Sequence, residues 1–358
     1  MPSAATVAKG DRVVFTSGAA SFTARDILDA AHFRGELEPS WRKLLLQVEA
    51  ERKATGSGAE VAQDALNSSA IAFRYKHDLI TAEETEKWLE ARLLTLLDFS
   101  EFFARAYWEK TFGSRVAPPA LPFHGASLEQ RELLTAELTL SGELDRQATR
   151  LAWRVAACLA SEGAEIPPPL LAEEEQLFRT RVPDVAEWLA GLGRERPWLD
   201  EMLAAEAGFR ERCARVISPE QREREMSALR LPLTRFEVEM MELDSKGAAQ
   251  EAFLCVRDDG MEMEEVAQEG RYPYRRRELV LEDIDPAVQQ KYLSSTPGTV
   301  LEPVARGDGF QLVRLIGKRE PKLDDPEVGP RIDQRLLDRH FAELTSGSIR
   351  WIVLSSPS

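Results

Sequence analysis

Pro297-Gly298-Thr299-Val300-Leu301-Glu302-Pro303-Val304, running on to Gly307-Asp308-Gly309-Phe310-Gln311-Leu312-Val313-Arg314-Leu315, is the stretch that decides the fold of the C-terminal part. The Pro-Gly pair makes a turn because proline presets φ and glycine tolerates the left-handed region. Pro303-Val304 opens an extended run, Gly307-Asp308-Gly309 makes a second tight turn, and an alternating apolar strand follows it. Gln311 follows Phe310 near the start of that strand.

Upstream, Arg235-Phe236-Glu237-Val238-Glu239-Met240-Met241-Glu242-Leu243 alternates apolar and acidic side chains at period two and reads as a first strand. Lys246 to Val256 sets Ala249, Ala252, Phe253 and Val256 on one helical face, and Gly260-Met261-Glu262-Met263 leads into a second helix through Val266 and Ala267. Ile284-Asp285-Pro286-Ala287-Val288 comes next, with Tyr292 and Leu293 further along its helix. Taken in order from Leu231 to Pro321, these motifs resemble the parvulin-type (PpiC, rotamase) peptidyl-prolyl isomerase domain of multi-domain foldases. The resemblance implies a small four-stranded sheet wrapped by helices, with Ile284 and Val288 flooring a proline pocket and a histidine in both the first and the last strand. The chain departs from that pattern. No histidine lies between Leu231 and Pro321, the last-strand position is Gln311, and the first-strand position falls among Val238, Glu239 and Met240. Arg271-Tyr272-Pro273-Tyr274-Arg275-Arg276-Arg277 replaces the family's glycine-rich segment, and Cys255 sits on the first helix of the domain.

Rotation about an X-Pro bond faces a resonance barrier of about 18–20 kcal/mol, so an isomerase needs a dry pocket that favours the twisted amide. With the histidines gone, the resemblance implies an activity that is weak or lost, although glutamine still donates and accepts hydrogen bonds. No residue is assigned a catalytic role. What remains suits binding: Met240, Ile284, Val288 and Phe310 are expected to line a shallow apolar groove, with Arg271, Tyr274 and Gln311 beside it. Arg271, Arg275, Arg276 and Arg277 form a basic cluster in an acidic chain, and guanidinium forks suit an acidic peptide. The plainer reading makes the four apolar residues core, and the arginines an exposed loop balanced by Glu278, Glu282 and Asp283.

The front of the chain reads as helical and internally repeated. Ala20 to Leu28 and Gly35-Glu36-Leu37 recur as Ala126 to Leu134 and Gly142-Glu143-Leu144, at offsets of 106 and 107. Gly58-Ala59-Glu60-Val61, Phe73-Arg74 and Trp88-Leu89 recur as Gly163-Ala164-Glu165-Ile166, Phe178-Arg179 and Trp188-Leu189, at offsets of 105, 105 and 100. One copied module with small loop deletions explains the series. Trp41, Leu44, Leu45 and Val48 keep helical spacing, as do Ala62, Ala65, Leu66, Ser69, Ala72 and Phe73, then Phe99, Phe102, Phe103, Ala106 and Tyr107. Ala148, Leu151, Ala152, Val155 and Leu159 repeat the first pattern. Thr81-Ala82-Glu83-Glu84 has capping-box spacing, Pro167-Pro168-Pro169 marks a turn, and Pro183 is expected to start the Trp188 helix. Arg210 to Arg224 reads as a solvated helical run. After the sheet domain a helix through Arg331 to Leu344 carries Leu336, Leu337, His340, Phe341 and Leu344. The closing strand Ile349 to Leu354 is expected to pair with Val13-Val14-Phe15.

The fold class is therefore α+β: two tandem helical copies at 1–118 and 119–228, a parvulin-like domain at 229–322, and a helix and strand at 323–358 returning to the helical part. At 358 residues two or three domains are expected. Forty-six basic against 61 acidic residues leave a net charge of −15, which disfavours nucleic acid and anionic membranes as partners. No run is apolar enough to cross a bilayer, and the start Met1-Pro2 lacks a basic, then apolar, export signal, so a cytoplasmic address is expected. Cys158, Cys213 and Cys255 are too few and too scattered for a disulfide framework or a zinc site, and His32, His77, His124 and His340 do not cluster. Nucleotide, flavin and zinc-hydrolase motifs are missing, and no cofactor or metal is expected. The function these readings support is a peptide- or protein-binding chaperone with a degenerate parvulin-like domain. By resemblance its client is a dedicated one, such as a ribosomally made precursor peptide or a metalloenzyme subunit. An active isomerase and a structural adaptor are the alternatives.

Overall fold

The computed structural model describes residues 8–160 and 166–352. Gly163 to Glu165 of the repeat, Met1-Pro2 and the last residues of the closing strand, Val353 and Leu354, lie outside the described residues. The chain divides into two compact units, Met1–Ala214 with His340–Ser358, and Arg215–Arg339.

The first unit opens with β1 (Val13–Ser17) and β2 (Ala20–Thr23), joined by a tight turn in which Gly18 takes φ +56°. Ten helices follow: α1 (Ala24–Phe33), α2 (Glu38–Gly56), α3 (Gln63–Lys76), α4 (Ala82–Glu90), α5 (Leu96–Phe112), α6 (Leu128–Ser141), α7 (Glu143–Leu159), α8 (Pro168–Arg181), α9 (Val185–Leu192) and α10 (Arg196–Val216), the last ending just beyond the unit's bound. Each of α1, α4, α5 and α6 starts at a full capping box, Thr23/Asp26, Thr81/Glu84, Thr95/Asp98 and Ser127/Gln130, so two otherwise orphaned N–H groups are satisfied at each end. Two proline expectations change. Pro168, within the triplet read as a turn, opens α8, while Pro183 lies before the Asp184 N-cap of α9. The α3 stripe is shallower than its spacing suggests, because only Phe73 is fully buried and Ala62, Ser69 and Ala72 are exposed. The run Arg210 to Arg224 breaks at Ser218, which caps α11 (Pro219–Ala228).

The helices α1 to α5 have 10, 19, 14, 9 and 17 residues, and α6 to α10 have 14, 17, 14, 8 and 21. The repeated Phe and Trp meet in the same way in both sets. Phe73 and Trp88 lie edge to face at 5.4 Å, and Phe178 and Trp188 at 5.2 Å. The two sets are interlocked. Ile27, Leu28 and Phe33 of α1 share a core with Leu144, Leu151, Phe178 and Trp188 of the second set. Ala136 and Leu140 of α6 complete the core of Phe73, Leu89, Phe99 and Phe103 in the first.

The second unit carries α11, then β3 (Arg235–Leu243), α12 (Lys246–Arg257), α13 (Met263–Gly270), β4 (Tyr274–Val280), α14 (Pro286–Ser294), β5 (Val300–Arg306) and β6 (Gly309–Arg319). The strands form an antiparallel sheet in the order β4-β3-β6-β5, the four-stranded sheet expected from the motifs. Period-two alternation gives it two apolar faces. Phe236, Val238, Met240, Val313 and Leu315 face Ile284 and Tyr292 on the α14 side, while Met241, Leu243 and Leu312 pack against Phe253, Val256 and Met263 of α12 and α13. Each fully buried side chain of this size contributes about 1.5–3 kcal/mol. Arg235, at the start of β3, is held by Glu278 at 2.6 Å, Asp325 and Glu327.

α15 (Val328–Ser348) buries Val328, Ile332 and Leu336 with Leu233 and Val280 in the second unit. Beyond Arg339 it belongs to the first unit, where Phe341 stacks on Trp153 at 5.0 Å. It hands the chain to β7 (Arg350–Trp351), which pairs antiparallel with β1 as Phe15 to Trp351 and Thr16 to Arg350, the return pairing that the sequence implied.

Candidate functional site

Alternation along β3 and β6 decides what faces the α14 side of the sheet. Met240 from β3, and Gln311 and Val313 from β6, point into a cavity of about 420 Å³, whose opposite wall is Ile284, Val288 and Tyr292. Leu279 of β4 and Leu301 of β5 complete its apolar lining. The Ile284 to Val288 segment can reach the sheet because Asp285 caps α14, its carboxylate accepting from the Ala287 N–H at 2.9 Å, with Pro286 in the first turn.

Gln311 brings a side-chain amide into this apolar lining. Its Oε1 accepts from Arg306 Nη1 at 3.1 Å, which fixes the amide orientation and leaves Nε2 facing away from that partner. Nε2 is buried and finds no hydrogen-bond partner among the described residues. An unmade hydrogen bond of this kind costs about 1–3 kcal/mol, a cost that a ligand carbonyl removes. Burial pushes the Tyr292 phenol up, against the smaller opposing pull of Arg277 and Arg306, so it stays a neutral hydroxyl at neutral pH.

The mouth is charged. Lys291 pairs with Glu302 at 3.1 Å, and Asp283 is taken by Arg331 at 2.6 Å. Arg277 lines the cavity, is exposed, and has no carboxylate partner among the described residues. Its neighbours in sequence are spent, Arg275 on Glu242 and Arg276 on Glu237 at 2.7 Å.

Four of the seven residues expected to bind peptide, Met240, Ile284, Val288 and Gln311, meet at this cavity. The other three do not. Phe310 is one residue out of phase with Gln311 and packs on the α12 side of the sheet. Tyr274 is on that side too, where its hydroxyl donates to Glu239 at 2.9 Å; burial and the Glu239 carboxylate push its pKa up to about 12. Arg271 is the left-handed C-cap of α13, with φ +55°. The arginine run is also not the loop read from composition, because Tyr274–Val280 is β4. Nor are its carboxylate partners Glu278, Glu282 and Asp283. Those pair with Arg235 and Arg319, with Arg331 and Arg335, and with Arg331. Of the candidates for the first-strand position, Val238 and Met240 face the α14 side, while Glu239 is tied to Arg314 at 2.6 Å on the other side. Leu279, Leu301, Val313 and Arg306 were missed as lining residues. The period-two phase set by Gln311 finds Val313, and cross-strand pairing carries it to Leu279, but the irregularity in β5 between Leu301 and Val304 hides Leu301 and Arg306 from a strict alternation.

No group of side chains able to hold a metal ion occurs among the described residues, and none of their helices is long and apolar enough to cross a membrane. Burial pushes the Cys213 thiol up to about 11 and raises that of Cys158, so both behave as packing groups.

No family model matches the chain, and no curated protein matches it. Among solved structures it is similar to the peptidylprolyl isomerase PrsA from Bacillus cereus, at 13% identity over 59% of this chain and 85% of that one, with TM-score 0.37. PrsA from Bacillus anthracis follows at 14% identity, 55% and 94% coverage and TM-score 0.30. A SurA-like chaperone from Campylobacter jejuni matches at 7% identity, 59% and 86% coverage and TM-score 0.19. These superpositions are loose, and the site geometry above is this chain's own.

Proposed function

We propose that the chain is a peptide- or protein-binding chaperone whose sheet cavity holds a prolyl or similarly compact apolar residue of an extended client segment. One observation carries this reading: the cavity joins an apolar lining to Gln311 Nε2, a donor without a hydrogen-bond partner among the described residues, with Arg277, which has no carboxylate partner among them, at its mouth. A client carbonyl accepts from Gln311, its side chain displaces water from Met240, Ile284 and Val288, and a neighbouring acidic residue meets Arg277. No imidazole is present anywhere in Arg215–Arg339, so the site grips the amide without a side chain that titrates near neutral pH. Exposed apolar residues in the helical unit suit the same role: Tyr75 of α3 and Ile80 after it are 78% and 81% exposed, and Leu96 and Leu97 open α5. The client we propose is a dedicated one, a ribosomally made precursor peptide or a metalloenzyme subunit, following the resemblance to multi-domain foldases.

Fluorescence anisotropy with a labelled peptide containing Glu-Pro, beside one with Gln-Pro and one with Gln-Ala, tests the reading. Both prolyl peptides are expected to bind. Arg277→Ala should weaken the Glu-Pro peptide by up to about fivefold, as an exposed pair worth about 0.2–1 kcal/mol requires, and leave Gln-Pro unchanged. Equal affinity for Gln-Ala would remove the prolyl assignment. Parvulin-like turnover of an X-Pro peptide in a protease-coupled assay, lost in Gln311→Ala, would make the chain an isomerase instead. A stoichiometric partner that competitor peptide does not release would make it an adaptor.

A further inference from the structure

The helical unit holds a second cavity, about 310 Å³ in volume, lined by α1 and α6. The repeat offset of 106 that relates Arg25 to Arg131 relates Asp29 to Thr135, and all four residues line it. Nearly every polar group there is engaged. Glu132 accepts from the Lys9 and Gly10 N–H groups at 2.6 and 3.1 Å, and Arg25 pairs with Asp11 at 3.1 Å. Thr135 donates to the Arg131 carbonyl at 2.8 Å, and Arg131 donates to the carbonyls of Ala126, His124 and Gly191.

Asp29 is the exception. Its side chain is 1% exposed, and Arg194 holds Oδ2 at 2.8 Å. Oδ1 has no hydrogen-bond partner among the described residues, the Arg131 guanidinium standing off at 4.0 Å. A buried carboxylate oxygen left without a donor is costly, and burial raises this acid's pKa against the pull of Arg194. The missing partner is an N–H or O–H. Arg194 and Arg131 already face the carboxylate, so an added cation is repelled and a neutral donor fits. Leu28, Phe123 and Leu192 make the rest of the wall apolar.

We infer that this cavity is a second binding site, taking a compact apolar group that carries one neutral N–H or O–H donor directed at Asp29 Oδ1. It is separate from the sheet cavity and stands whether or not that cavity binds peptide.

The test is calorimetric titration of the full chain with indole, beside 1-methylindole, which keeps the shape and loses the donor. A hydrogen bond to a charged group is worth about 1.5–3 kcal/mol, so indole should bind saturably and at least about tenfold more tightly than 1-methylindole. Titration with N-acetyltryptophanamide separates the sources: affinity at least equal to that of indole points to a client side chain, and weaker binding to a free small molecule. Ala126→Trp and, as a second variant at an exposed rim position, Ala190→Trp should each abolish indole binding, while Gln311→Leu should leave it unchanged. Equal affinities for indole and 1-methylindole, no saturable binding, or full binding in both rim variants would overturn the inference and leave the cavity as a water site.

Discussion

Gln311 and His32 show what a single buried polar atom does to this protein. Gln311 Nε2 is a buried donor without a partner, so Gln311→Leu should raise stability by about 1 kcal/mol in urea denaturation while weakening prolyl-peptide binding about five- to tenfold. A loss of stability without loss of binding would show that the amide serves the fold. His32 is the reverse case, a satisfied neutral imidazole: its Nε2 accepts from Trp188 Nε1 at 2.8 Å. Burial first, then His124 and Arg131, lower its pKa to about 4. Protonation would set an N–H against the indole N–H, so the folded state resists the proton that the unfolded chain takes up near pH 6.5. The contribution is therefore complete above about pH 6.5 and falls as pH drops toward 4, with a slope approaching about 1.4 kcal/mol per unit. His32→Phe should flatten that part of a stability profile measured by urea titration.

At the scale of elements, the β5–β6 turn sets the phase of the cavity. A Cβ on Gly309 would lie 2.6 Å from the Leu243 carbonyl oxygen, which is backbone and cannot yield. Gly309→Ala should cost about 1–3 kcal/mol and weaken peptide binding, read by denaturation and anisotropy on the same sample. The sequence made this hairpin legible because turn chemistry and strand alternation agree in it. Alternation also contained the error over Phe310, since a residue adjacent to Gln311 must face the other side of the sheet. The arginine run misled for a related reason. Exposed edge strands and loops share a charged composition, and only the register of β4 on β3, Met240 opposite Arg275 and Val238 opposite Arg277, separates the paired arginines from the open one. The polar chemistry of Asp29 was not legible at all, because its orphaned oxygen depends on where Arg131 of α6 and Arg194 of the α9–α10 connection arrive from distant parts of the chain.

At the scale of the molecule, the offsets near 105 in the sequence do not say which helices share a core. Because α1 packs with α8 and α9 and α6 packs with α3 to α5, a fragment of residues 1–118 leaves Ile27 and Phe33 without Leu144, Leu151, Phe178 and Trp188, and the Phe73 cluster without Ala136 and Leu140. It should lack dispersed NMR signals and a cooperative melt, whereas separately adjacent modules would let it fold. The return of the chain to β1 was legible because Ile349 to Leu354 is apolar and β-branched, a composition that suits a strand beside Val13 to Phe15. The central claim, that the cavity of the second unit receives a client's apolar residue, is tested most directly by methyl and amide NMR on the intact protein during titration with a prolyl peptide. Shifts that saturate together at Met240, Ile284, Val288 and the Gln311 side-chain amide are expected. Binding that leaves those four signals in place, with changes confined to other residues, would contradict it.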